Sequence, residues 1–357
     1  MTPSLVLVEG LPGCGKSTTA QFVARQLELA GRPVRWHYEQ EANHPVFAQP
    51  YSGSTWQGYF EDRLGRWAAF AADVKAGTEI RILESALFQT PLLTLVRADV
   101  EADIILRYLA LVQDVVRPLD PIVVYLRHPR PDEAVHRIGE RRGFRWVSGH
   151  VARFDVSPFA VARGIRGVPG LLAYWRDHAA MCERALVTSP LRALVLDVAS
   201  GTWEERRARI LDTLGVAWTK EAPVAPEYLD RFVGTYRGAG PGSRACAIDV
   251  HDGWLHVNGL LWPDNPLLPR AQNIFDLESW PLRAEFVDDE SGAIRHANHR
   301  SRHPVGPPGA GVHAPLTVGS RHVAACSRLG PLPTSGSAGV RRRCRSDGST
   351  VAVALLE

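Results

Sequence analysis

Lysine is almost missing from this chain: Lys16, Lys75 and Lys220 stand against 38 arginines in 357 residues. With abundant Ala, Gly and Pro, such a skew matches GC-rich coding and assigns no function by itself. No apolar run approaches the ~18–20 residues of a membrane span, which excludes a transmembrane helix. The start, Met1-Thr2-Pro3, has no basic region, and the apolar residues 5–8 are too few for a secretion signal. The five cysteines, Cys14, Cys182, Cys246, Cys326 and Cys344, form no CxxC pair and no disulfide framework. A reducing cytoplasmic setting is the expectation. There is no HExxH and no G-x-S-x-G, which argues against a metalloprotease and an α/β-hydrolase.

What is present is a chain with 45% hydrophobic and 22% charged residues, enough to bury a sizeable core and to exclude global disorder. Its length suggests two domains, or one with a large appendage. The net charge of +3 divides unevenly. Residues 298–350 hold eight arginines and one acid, a surplus of +7, which leaves −4 for the rest. The body is therefore mildly acidic, and no nucleic-acid partner is expected for it.

Residues 1–218 alternate strand-like and helix-like stretches. Strands are expected at residues 4–9, 32–39, 80–83, 122–126 and 191–196. Helices are expected at 16–30, 55–76, 91–96, 101–117 and 203–214, with a further helix after the fourth strand. Strands separated by helices imply a parallel sheet covered on both faces, an α/β three-layer domain. After a linker at residues 221–226 the texture changes. Residues 227–297 carry short runs at 232–236, 246–250, 254–257, 274–277 and 284–287, with Asp252-Gly253 as a hairpin turn. This is a small all-β module. Residues 298–357 lack periodicity and read either as a disordered basic tail or as an out-of-frame end.

The strongest signal lies at the first strand's end. Gly10-Leu11-Pro12-Gly13-Cys14-Gly15-Lys16-Ser17-Thr18 satisfies G-x-x-x-x-G-K-[ST] between a strand and a helix. Gly10, Gly13 and Gly15 let the backbone curl so that successive N–H groups point at phosphate oxygens. The helix N-terminus adds to that attraction. Lys16 would neutralise the β- and γ-phosphates and Ser17 would give a hydroxyl to Mg²⁺. Cys14 and Thr18 complete the loop, with the Cys14 side chain as a small filler.

From these residues the first ~215 positions resemble the P-loop kinase group, in particular nucleoside- and nucleotide-kinase-like and antibiotic phosphotransferase-like members. The resemblance implies a three-layer P-loop NTPase fold and ATP with Mg²⁺ as cofactors. It also implies a small-molecule acceptor. Glu84, in Leu83-Glu84-Ser85 at the third strand's end, would hold Mg²⁺ through water or accept a hydroxyl proton. Deoxynucleoside kinases read Glu-Arg-Ser there; this chain lacks the arginine. After the second strand, Glu39-Gln40-Glu41-Ala42-Asn43-His44-Pro45 falls where those kinases place a general base. Spacing leaves the choice between Glu39 and Glu41 open, and alternation puts both on one side if the strand continues.

Arg137, Arg141, Arg142 and Arg145 follow the fourth strand, where the resemblance implies an arginine-bearing lid. Guanidinium forks suit a transferring phosphoryl group. Trp56, Tyr59, Phe60 and Gln89 are the expected acceptor pocket. The β module resembles strand-rich C-terminal modules of some bacterial hydrolases through Phe232-Val233-Gly234-Thr235-Tyr236, Asp252-Gly253, Leu267-Leu268-Pro269 and Phe275. Two functions stand as alternatives. One is an ATP- and Mg²⁺-dependent phosphotransferase acting on a nucleoside-like metabolite or antibiotic. The other is a nucleotide-binding or hydrolysing P-loop regulator whose β module binds a partner.

Overall fold

A computed structural model describes residues 3–41, 43–47, 55–220, 224–238, 245–259, 263–288, 294–301 and 316–317. The chain separates into a compact unit of residues 1–321 and a second of 322–357, the latter outside the described residues. The tail reading therefore falls almost entirely outside them.

Five parallel strands form the first sheet: β1 (Leu5–Gly10), β2 (Val34–His37), β3 (Ile80–Glu84), β4 (Ile122–Arg127) and β5 (Arg192–Asp197), in the order β2-β3-β1-β4-β5. β1 is buried along its whole length, as are β3 and all but the last residue of β4, so helices cover both faces. The connections are α1 (Lys16–Leu29), α2 (Trp56–Ala76), α3 (Gln89–Arg97), α4 (Ala102–Val116) and α5 (Pro131–Arg142). Next come α6 (Phe144–Asp155), α7 (Pro158–Arg163), α8 (Gly167–Val187) and α9 (Trp203–Leu214). This is the expected parallel α/β sheet with its P-loop. The register pairs Val8 with Glu84 and Gly10 with Leu126, which gathers three strand ends around the loop after β1.

Residues 144–187 carry three helices beyond those expected above. In α6 the apolar residues Phe144, Val147, Val151 and Phe154 recur at helical spacing although only Phe154 is buried, and Pro158, Gly167 and Pro169 interrupt the stretch beyond it.

A short helix, α10 (Pro226–Leu229), opens the β-rich part. Six antiparallel strands curl into a half-barrel: β6 (Gly234–Gly238), β7 (Ala245–His251), β8 (Trp254–Asn258), β9 (Asn265–Ala271), β10 (Ile274–Leu277) and β11 (Leu282–Asp288). β12 (Ile294–Ser301) and the two-residue β13 (Leu316–Thr317) complete the ring back to β6. Strand pairing thus runs past residue 297, where the sequence pattern places the module's end. Asp252 and Gly253 have φ of 50° and 79°, the left-handed pair a two-residue hairpin requires. Phe232 fills the barrel centre, 5.0 Å from Phe275 and 4.8 Å from Phe286 between ring centroids.

The barrel packs on α1. Gln21 Nε2 donates to the Leu277 carbonyl at 2.8 Å, and Ser279 N–H donates back to Gln21 Oε1 at 2.8 Å. One helix turn on, Arg25 meets the fully buried Asp276 at 3.4 Å, and Arg270 of the barrel pairs with Glu28. The helix that begins at the glycine-rich loop after β1 is thus also the barrel's seat. Among the described residues, no helix is long and apolar enough to cross a membrane.

Candidate active site

The loop between β1 and α1 is built on three left-handed glycines, Gly10, Gly13 and Gly15, with φ of 145°, 84° and 88°. A side chain at Gly10 would come within 2.5 Å of the Leu126 carbonyl oxygen, so strand crowding adds to the backbone requirement there. Gly15 caps α1, whose first N–H groups have no partner within the helix and point into the loop. Lys16 is buried, and its Nζ donates to the Leu11 carbonyl at 3.0 Å. Cys14 is buried too; burial pushes its thiol up despite the nearby Lys16, which suits a filler and not a reactive thiol.

Ser17 Oγ donates to Glu84 Oε1 at 3.1 Å. Glu84 is buried, and its other oxygen has no hydrogen-bond partner. Burial, and next the negative charge of Glu39, hold its carboxyl well above the usual range; Lys16 and the Ser17 hydroxyl offset this only in part. A buried carboxylate with one free oxygen beside a serine hydroxyl suits a hydrated Mg²⁺. Among the described residues no three His, Cys, Asp or Glu side chains gather to hold a metal. A cation here would therefore rely on Ser17, Glu84, water and phosphate oxygens.

The two acids after β2 part company. Glu39 Oε2 accepts from Gln89 Nε2 at 3.2 Å, close enough to Glu84 to raise it. Glu41 turns away and pairs with His37 Nδ1 at 2.9 Å. Burial pushes the Glu41 carboxyl up, but the hydrogen bond and charge of His37 outweigh it and leave the group below its ordinary value. β2 ends at His37, so the alternation that would have kept the two acids together does not continue.

The arginines divide as well. Arg137 and Arg141 line a cavity beside Gly13, Cys14 and Gly15. Arg142 is turned the other way, stacks 5.7 Å over Trp146, and is half-buried where it feels Tyr38, Glu39 and Glu84. Arg145 is exposed at the start of α6, beyond the left-handed Gly143 that separates α5 from α6. Trp56 packs on Phe60 and Phe60 on Tyr108 of α4, the Phe60–Tyr108 rings 4.6 Å apart, and Tyr59 is buried beside Tyr108. Of the four expected acceptor residues, only Gln89 is tied to the acid cluster.

Glu9 belongs to the site although no motif marks it. Fully buried, it accepts from the Leu87 N–H at 2.6 Å and the Gln89 N–H at 3.2 Å, and so fixes the loop that carries Gln89. Burial pushes its carboxyl up to about 7, against these N–H groups and the Lys16 charge. A raised carboxyl favours folding below its unfolded pKa, and that contribution is lost as the pH rises through the folded value. Glu9 should therefore lower stability between roughly pH 4.5 and 7, by on the order of 3 kcal/mol. Glu9→Gln is expected to flatten that slope in urea unfolding from pH 5 to 8; superimposable slopes would show that Glu9 is not the titrating group.

The cavity, about 730 Å³, opens from Gly13, Gly15 and Thr18 on the side of the loop away from Glu84. Trp203 and Arg207 of α9 and Trp254, His256 and Glu278 of the barrel line it, with Arg207 and Glu278 3.8 Å apart. Thr18, which lines it, has its Oγ1 2.8 Å from Ser279 Oγ of the barrel.

No family model matches this chain, and no curated protein matches it significantly. Solved structures to which it is similar cover about 60% of its length. One is the YorR protein of Bacillus subtilis in complex with phosphorylated GDP (16% identity, 59% of this chain and 95% of that one, TM-score 0.34). Another is deoxyadenosine kinase of M. mycoides with bound dATP (18% identity, 60% and 100%, TM-score 0.34). A third is an unliganded sugar kinase from Janibacter (20% identity, 60% and 95%, TM-score 0.30).

Proposed function

We propose that this protein is an ATP- and Mg²⁺-dependent phosphotransferase that moves a γ-phosphoryl group to a hydroxyl of a small molecule. The observation that carries the reading is the Ser17–Glu84 pair beside Lys16, with one carboxylate oxygen buried and unpartnered. ATP would supply the phosphoryl group, and Mg²⁺ would screen its charge. The loop N–H groups and Lys16 would bind the phosphates. Ser17 and Glu84 would hold the cation. Arg137 and Arg141, from the cavity side, and Arg142, from the acid side, would bring positive charge to the transferring group.

Glu39 is the base this reading assigns, because it is the acid after β2 that faces Glu84 and Gln89. It would take the acceptor's hydroxyl proton, while Glu9 keeps Gln89 in place. Glu39→Gln is expected to slow transfer by about 10²–10⁴-fold, whereas Glu41→Gln should leave turnover nearly unchanged and act on stability through His37. Equal losses in turnover would remove the assignment. The function itself is tested by ATP turnover in the presence of a metabolite and antibiotic panel. Stimulation by a hydroxylated compound, with its phosphorylated product found by mass spectrometry, is the expected result; ATP turnover that no acceptor changes would turn the reading towards a hydrolytic regulator.

A further inference from the structure

The barrel, we propose, is the second wall of the nucleotide pocket and selects the nucleoside held there, Glu278 reading the sugar and the β8 strand the base. This rests on the nucleotide reading above. Lys16, Ser17 and Glu84 do not line the cavity; it starts on the other side of the loop and has the size of a small-molecule site. A nucleotide whose phosphates lie in the loop has this space for its sugar and base.

The barrel residues succeed one another outward from the loop. Ser279 touches Thr18, and Glu278 is its chain neighbour. Glu278 N–H donates to the Pro266 carbonyl of β9 at 2.8 Å, and Pro266 is paired with His256 of β8. Two strand spacings, roughly 10 Å, therefore separate the Glu278 turn from β8. Going out from the α-phosphate of a nucleotide, the sugar comes first and the base after it. Glu278 stands at the level of the sugar and Trp254 and His256 at that of the base.

The chemistry suits those places. The Glu278 carboxylate is mostly buried, 3.8 Å from Arg207, and can accept hydrogen bonds from ribose hydroxyls. Burial pushes it above its ordinary value, and Arg207 and Arg141 partly restore it. Trp254 and Trp203 both line the cavity, Trp203 with Arg207 stacked over it at 4.8 Å, so aromatic and guanidinium surfaces are available to a flat ring. The wall is also fixed in place. Gln21, Arg25 and Glu28 bind the barrel to the same helix whose N-terminus forms the phosphate site.

The test is isothermal titration of the full chain with ATP, dATP, GTP and inorganic tripolyphosphate, each with Mg²⁺. Tripolyphosphate reads the loop alone. Trp254→Ala is expected to weaken the nucleotides by about tenfold, the scale of one base–aromatic stack, and to leave tripolyphosphate unchanged. Glu278→Gln should bring the ATP and dATP affinities together, again without effect on tripolyphosphate. Unchanged nucleotide affinities and an unchanged ATP-to-dATP ratio in both variants would overturn the proposal while leaving the phosphotransferase reading intact. Wild-type protein that binds neither tripolyphosphate nor nucleotide would overturn both.

Discussion

Lys16→Ala is expected to lower phosphoryl transfer by about 10²–10³-fold or more without unfolding the α/β part. The lysine is buried at the head of α1, where its ammonium donates to the Leu11 carbonyl of the loop. Its removal leaves β1 and the hydrophobic body of α1, from Ala20 to Leu27, fully packed. What disappears is a positive charge in a low-dielectric site, where charge on phosphate oxygens is costly to leave unopposed. The loss should fall mainly on kcat, with the circular dichroism spectrum and urea midpoint close to those of the wild type. Near wild-type turnover would sink the phosphotransferase reading, because no other residue of the loop carries that charge.

Asp276→Ala is expected to be the most destabilising change in the barrel, by about 3–5 kcal/mol. Asp276 is fully buried and meets three guanidinium groups: Arg25 of α1 at 3.4 Å, Arg270 at 3.3 Å and Arg283 at 2.9 Å. Removing the carboxylate leaves these positive charges facing one another at the seam between barrel and helix. Arg270 keeps Glu28, but Arg25 is itself buried. The measurement is a double-mutant cycle with Arg25→Ala, read by thermal and urea unfolding. A coupling of about 1 kcal/mol or more would assign Asp276 a role in holding the barrel to α1. Coupling near zero would confine it to the barrel's own packing.

The contiguous parts of the site were legible in the sequence because their geometry is local. A strand, nine residues of loop and a helix fix the positions of Gly10, Gly13, Gly15, Lys16 and Ser17 with no help from the rest of the chain. The parallel sheet was legible for a related reason: strands buried on both faces must be apolar throughout, and residues 5–8, 80–83 and 122–126 are so or nearly so. Glu84 could be placed at a strand end by the same logic.

Tertiary structure decided the rest. The choice between Glu39 and Glu41 depended on where β2 stops, and the split between Arg142 and Arg145 on a left-handed glycine between two helices. Glu9 looked like one more residue of a buried strand; only the register against β3 brings it under the backbone of Leu87 and Gln89. Gln21, Arg25 and Glu28 have the spacing of a solvated helix face, and nothing in the sequence gives a reason to bury them. They are buried, or nearly so, because their partners Leu277, Asp276 and Arg270 lie some 240–260 residues further on. Local spacing determines which side of a helix a residue occupies, but whether water or protein covers that side is settled only when distant parts of the chain meet.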